Sequence, residues 1–177
     1  MGIRKFEVIP PESEEKIGEG LAPGELVCRI SREKAREVGE KNRDKLVIAA
    51  DTMVFLDGKA LGKPSGGEEA KKMLSLLSGT MHEVYTGVTV LLGGVEITRF
   101  EAAKVYFKAL EEETIKAYIE TGEPMDKAGA YGAQGIGASL IEKIDGDVSA
   151  VVGLPLFLLS EMLREAGVNM LEIGEEP

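Results

Sequence analysis

The sequence has a single cysteine, Cys28, and a single histidine, His82. One cysteine excludes an internal disulfide and a cysteine-based zinc cluster. One histidine means that any serine–histidine chemistry would rest on His82 alone, and at the entrance of a strand that residue reads as a hydrogen-bonding group rather than a catalytic base. No apolar run approaches the roughly 18 residues that mark a membrane-spanning helix, and no signal peptide is evident. The expectation is a cytoplasmic protein with no membrane partner. Positive charge is short too: 21 Lys and Arg against 31 Asp and Glu leave a net charge of -10. That balance argues against non-specific binding to nucleic acid or to an anionic membrane surface. It does not argue against a small polyanion, because a few lysines make a positive pocket on an acidic protein. It also suits a metal-assisted site, where a cation sits between carboxylates and phosphates. Internal repeats, low-complexity tracts and interdomain linkers are absent as well.

What remains is a globular composition. The 177 residues are 44% hydrophobic and 29% charged. That is enough for one domain over residues 1–177 with a real core, or for two small lobes sharing a cleft.

The stretch LVIAADTMVFLDGKALGKP, Leu46 to Pro64, organises the rest. Leu46 to Ala50 is a buried-strand run that delivers Asp51 and Thr52 at its carboxyl end. Met53 to Leu56 resumes the apolar character, Asp57-Gly58 is a two-residue hairpin signal, and Lys59 to Leu61 returns. Lys63 is held extended before Pro64. An acid at a strand end with a lysine brought back beside it is a place for phosphate chemistry. Taken alone, the stretch favours a plainer reading, in which Asp51 turns or caps the chain and Lys63 is solvated.

Around it, Phe6 to Ile9 alternates like a strand, and Pro10 to Gly24 reads as an acidic loop containing Glu14 and Glu15. Glu25 to Gly39 is helical, with Leu26, Val27, Ile30 and Val38 on one stripe and Lys34 in the middle of it. A lysine on an inward face either snorkels out along its own stem or meets an anion in a cleft. Glu68 to Ser78 is a helix with Ala70, Met73, Leu74 and Leu77 as its packing face. His82 to Leu92 and Val95 to Phe107 are long strands joined at Gly93-Gly94. Glu111 to Glu120 is a helix with Ile115, Tyr118 and Ile119 inward. Ser139 to Ile144 is a strand, and Val148 to Gly153 a short apolar run entering a last helix with Leu158, Leu159, Met162 and Leu163 inward. The order gives an α/β fold with a mixed sheet.

Between these elements lies GEPMDKAGAYGAQGIG, Gly122 to Gly137, too glycine-rich for a helix interior and too apolar for a linker. Its glycines permit positive φ and close approach of a ligand. Gln134 offers an amide of the kind that reads a nucleobase edge; Asp126 and Lys127 read as a pair with each other. Neither a G-x-x-x-x-G-K-[ST] loop nor a dinucleotide fingerprint is present.

Five segments in order resemble the Maf family: AADT at Ala49 to Thr52, LGKP at Leu61 to Pro64, HEVYTGV at His82 to Val88, GEPMDKAGAYGAQG at Gly122 to Gly135 and VVGLPL at Val151 to Leu156. The resemblance covers about Phe6 to Leu163. It implies an elongated mixed β-sheet with flanking helices and two lobes around a central cleft, the architecture shared with inosine triphosphate pyrophosphatase, often as a homodimer. It implies hydrolysis of nucleoside triphosphates between the α and β phosphates, with a divalent metal (Mg2+ or Mn2+). Matched position by position, Asp51 is the catalytic acid that accepts a proton from water, and stands near the metal. Lys34 and Lys63 face the triphosphate. Thr52 and Gln134 are linked to choice of base, and this combination resembles the branch acting on dTTP and UTP. Glu15 matches an acidic position that helps with metal. Members are also discussed as house-cleaning enzymes for modified pyrimidine nucleotides and as inhibitors of septum formation.

One departure stands out. Family members begin with a strand carrying S-x-SPRR, followed by a helix, and the motif binds phosphate. Met1-Gly2-Ile3-Arg4 starts after that place, and Arg4 and Lys5 do not match it. Two missing arginines would cost several kcal/mol, at about 1.5–3 kcal/mol for each charge-assisted bond. The sequence therefore leads to the expectation of the family fold with weak hydrolysis or none, the alternative being a regulatory protein that binds a pyrimidine nucleotide without cleaving it.

Overall fold

The computed structural model describes residues 6–12 and 20–169. Helix α1 (Pro23–Glu40) starts two residues before the expected Glu25 because two local devices act there. Pro23 fixes φ at the first helical position, and the Glu25 carboxylate accepts a hydrogen bond from the Ala22 N–H at 3.2 Å. The helix buries Leu26, Val27, Ile30, Ser31 and Ala35, while Val38 is only half-buried.

The strands follow as β1 (Val47–Leu56) and β2 (Lys59–Leu61), then, after α2 (Gly67–Leu77), β3 (Met81–Leu92) and β4 (Val95–Phe107). Helix α3 (Glu112–Glu120), three short 3-10 turns, β5 (Ile141–Asp145), α4 (Val148–Val152) and α5 (Leu156–Glu165) complete the order. The five strands form one sheet in the order β2-β1-β3-β4-β5. β1 and β2 pair antiparallel, with Val54 opposite Leu61 and Leu56 opposite Lys59. Both turn residues between them, Asp57 and Gly58, have positive φ (49° and 76°), the geometry that matches the twist of a two-residue hairpin. β4 and β5 pair antiparallel, with an irregularity between Tyr106 and Phe107.

The chain divides into two compact units, and β1, β3 and β4 each contribute residues to both. The first comprises the described parts of residues 1–51, 87–100 and 156–177. Here Leu26, Val27 and Ile30 of α1, Val88, Val90 and Ile97 of the sheet, and Leu159, Met162 and Leu163 of α5 are all buried. Helix and strand approach so closely that a Cβ on Gly87 would lie 2.3 Å from the Val27 carbonyl oxygen. No side chain fits there.

The second unit comprises residues 52–86 and 101–155. Its core joins Ala70, Met73, Leu74 and Leu77 of α2 to Val54, Val84, Val105 and Phe107 of the sheet and to Ile115, Tyr118 and Tyr131. Burying Met73, Leu74 and Leu77 contributes about 1.5–3 kcal/mol each. The four residues read from the sequence as the face of α2 are the four it buries.

Four further expectations change. Phe6 to Ile9 carries no strand, and Phe6 and Val8 are exposed, because alternation alone supplies no neighbour to pair with. Asp51 lies inside β1 rather than at its end, since the β-forming run Thr52 to Phe55 continues the strand. Ser139 and Leu140 belong to a 3-10 turn (Gly135–Leu140), so β5 starts at Ile141. Residues 148–152 form a separate short helix; the Asp147 carboxylate accepts from the Ser149 N–H at 2.7 Å at its start, and Gly153 (φ 118°) stops it.

Candidate functional site

In the first unit, Lys34 and Asp51 meet. The Lys34 ammonium donates to Asp51 Oδ1 at 2.7 Å, with the two side chains 19% and 7% exposed. The lysine on the inward stripe of α1 therefore finds its anion in the chain itself. Burying either charge alone would be costly, and pairing compensates most of that cost. A buried carboxylate beside a lysine is equipped to orient a water and take its proton.

Thr52 is the next residue, yet successive side chains of a strand point to opposite faces. It belongs to the second unit, where its Oγ1 lies 2.7 Å from Thr86 Oγ1. Thr86 is fully buried and donates to the Ala150 carbonyl oxygen at 2.7 Å. Gly153 is beside this pair: a Cβ there would sit 3.4 Å from Thr52 Oγ1.

The segment Gly122 to Gly137 folds into three 3-10 turns around Glu123. The Glu123 carboxylate accepts from the N–H groups of Gly137 (2.8 Å) and Ile136 (3.0 Å) and from the Tyr118 hydroxyl (3.0 Å). The Gly137 amide, then Ile136 and Tyr118, hold this carboxyl below its usual range. The Tyr118 hydroxyl in turn accepts from the Gly132 N–H at 3.1 Å, and burial pushes its pKa up to about 12. This clamp presents Gln134, exposed and in extended conformation, between Gly132 and Gly137.

Lys63 is exposed, ahead of the buried Pro64. The Gly129 N–H donates to the Gly62 carbonyl at 3.0 Å, which ties the Lys63 stretch to the Gln134 segment. Asp126 pairs with Lys127, as their adjacency suggested, and that bond chiefly lowers its pKa, with a smaller contribution from Lys63. His82 is buried, its Nε2 2.8 Å from the Tyr131 hydroxyl, and it packs edge-on against Phe107. Burial lowers its pKa to about 4, so the imidazole is neutral and structural at ordinary pH. Glu15, and Arg4 and Lys5 at the start, lie outside the described residues.

Among the described residues no three His, Cys, Asp or Glu side chains gather to hold a metal ion. Asp51 would supply one hard oxygen ligand. That donor set fits a magnesium-like ion, which binds through one or two carboxylates plus substrate phosphates rather than in a protein cage. Glu123 and Thr86, which organise the Gln134 segment and Thr52, lie within the GEPMDKAGAYGAQG and HEVYTGV segments, but local pattern gave neither a role; each works through residues distant in the chain.

The fold and these polar groups define a small α/β protein with a buried lysine–aspartate pair, a threonine pair and a glycine-rich loop presenting a glutamine. A family model described as Maf-like protein matches residues 1–166. The dTTP/UTP pyrophosphatase of Methanosarcina barkeri (strain Fusaro / DSM 804) is 48% identical over 171 residues, covering 96% of this chain and 87% of that protein. Proteins of the same description from Caldicellulosiruptor bescii and Bacillus cereus (strain ZK / E33L) are each 45% identical, covering 95% and 93% of this chain and 87% and 86% of their own lengths. The chain belongs to the Maf family.

Proposed function

We propose that this chain is a nucleoside triphosphate pyrophosphatase of the dTTP/UTP type, a single Maf-like domain acting on nucleotides in the cytoplasm. The observation that carries the reading is the buried Asp51 carboxylate, 2.7 Å from Lys34, at the position of the family's catalytic acid. In the proposed reaction a water oxygen forms a bond to the α phosphorus, the bond from that phosphorus to the α–β bridging oxygen breaks, and pyrophosphate leaves. Asp51 orients the water and receives its proton. Lys34 holds the carboxylate in place and, with Lys63, meets the charge of the triphosphate. Thr52 and Gln134 read the base. Neutralisation of phosphate charge is what Mg2+ or Mn2+ supplies when bound, and Asp51 together with the nucleotide's own oxygens would hold it.

The test is pyrophosphate release from dTTP and UTP by the 177-residue chain and by Asp51→Asn. Release by the parent and none by the variant is the expected result. Turnover at about 1–10³ s⁻¹ also overturns the expectation of weak hydrolysis raised by the amino-terminal sequence. Equal nucleotide binding with no product from either protein would instead identify a nucleotide-binding protein.

A further inference from the structure

A threonine hydroxyl carries one proton and two lone pairs. In Thr86 the proton is committed: the 2.7 Å contact to the Ala150 carbonyl can only be a bond that Thr86 donates, because a carbonyl oxygen has no proton to give. The 2.7 Å contact between Thr86 and Thr52 must then be accepted by Thr86 and donated by Thr52. Thr86 is 0% exposed, so water does not compete for these positions. The single proton of Thr52 is thus spent inward. What the oxygen of this half-buried residue has left to offer is lone pairs, beside a position where Gly153 contributes no side chain.

We infer that Thr86 is a specificity-determining residue: with the Ala150 carbonyl it locks Thr52 as a hydrogen-bond acceptor, so that the base recognised is one whose facing edge carries an N–H. Thymine and uracil have such a group at N3. Cytosine has a bare acceptor nitrogen there and meets Thr52 lone pair to lone pair. A hydroxyl free to rotate would serve either base, since it can donate as readily as accept. The chain Thr52–Thr86–Ala150 removes that freedom, and the polarity of one buried carbonyl becomes the choice of nucleobase. The inference rests on the proposed function, in that Thr52 is taken to face the base.

The measurement is calorimetric binding of the α,β-imido analogues of dUTP and dCTP, which are not cleaved at the α–β position, to the full chain. The parent should favour the uracil analogue by about tenfold or more, because a site built to hydrogen-bond a group rejects the analogue lacking it. Thr86→Val should reduce that ratio to near unity, and Thr86→Ser should keep it. A merely structural role for Thr86 would weaken both analogues together. Should Thr86→Val fail to fold, the half-exposed Thr52→Val must lose the preference in its place. Retention of the parental ratio by whichever of these valine variants folds, or its loss in Thr86→Ser, overturns the inference. Equal binding of both analogues by a parent that still releases pyrophosphate from dTTP overturns it while the pyrophosphatase reading stands. Binding of neither analogue with no release overturns both.

Discussion

Lys34 Nζ stands 2.7 Å from Asp51 Oδ1, and both side chains are largely shielded from water. Removing one partner takes a close counter-ion from the other, largely buried charge. Lys34→Met should therefore destabilise the protein by about 3–5 kcal/mol, whereas Lys34→Met combined with Asp51→Leu should recover most of that loss. Urea unfolding of the parent, both single variants and the double variant gives the coupling directly. Additive single effects would mean that the pair is not energetically linked.

His82 makes stability depend on pH. The unfolded chain takes a proton at the ordinary imidazole value of 6.5, but the folded protein resists protonation until about 4. The contribution is complete above pH 6.5 and declines as pH falls through that window, by up to about 3 kcal/mol. His82→Gln keeps a polar partner for the Tyr131 hydroxyl and cannot titrate. Its unfolding free energy should fall less steeply between pH 6.5 and 4.5 than that of the parent. Parallel slopes would refute the assignment.

Glu123→Ala should free the Gln134 segment without unfolding the second unit. The amides of Ile136 and Gly137 lose their carboxylate acceptor. Their hydrogen exchange should accelerate by about tenfold or more, the equivalent of a bond of roughly 1.5 kcal/mol to a charged group. Exchange in the α2 core should be unchanged.

Gly87→Ala tests the close approach of α1 to the sheet. The added methyl carbon meets the backbone of Val27, which cannot rotate away as a side chain would. A loss of at least about 1–3 kcal/mol is expected, seen as a melting temperature lower by several degrees. An unchanged melting temperature would mean that the helix shifts at no cost.

The sequence made legible what depends on local pattern. The buried face of α2, the Asp57-Gly58 hairpin and the inward lysine of α1 all follow from periodicity or turn chemistry read within a dozen residues. Family motifs then pointed to Asp51, Thr52, Lys63 and Gln134. Legibility stopped where a partner far along the chain decides the outcome. Phe6 to Ile9 alternates as a strand does, but without a neighbouring strand the alternation stabilises nothing. Val148 to Val152 is too short for periodicity to tell helix from strand, and its helix depends on the Asp147 cap and on Gly153. Asp51 and Thr52 look like one site because they are adjacent in sequence, yet the pleat of β1 gives them different neighbours: Lys34 for one, Thr86 for the other. Glu123 reaches 13 and 14 residues onward to organise its loop, a relationship no local pattern announces.

The one imidazole and the one thiol of this protein are both shifted away from the neutral range. Burial takes His82 down to about 4, and burial of Cys28 moves its thiol up. The side chains most often responsible for a rate change near neutrality are therefore silent. An inflection in turnover between about pH 6.5 and 8 therefore belongs to neither of them, which turns attention from the imidazole and the thiol to the nucleotide's own terminal phosphate.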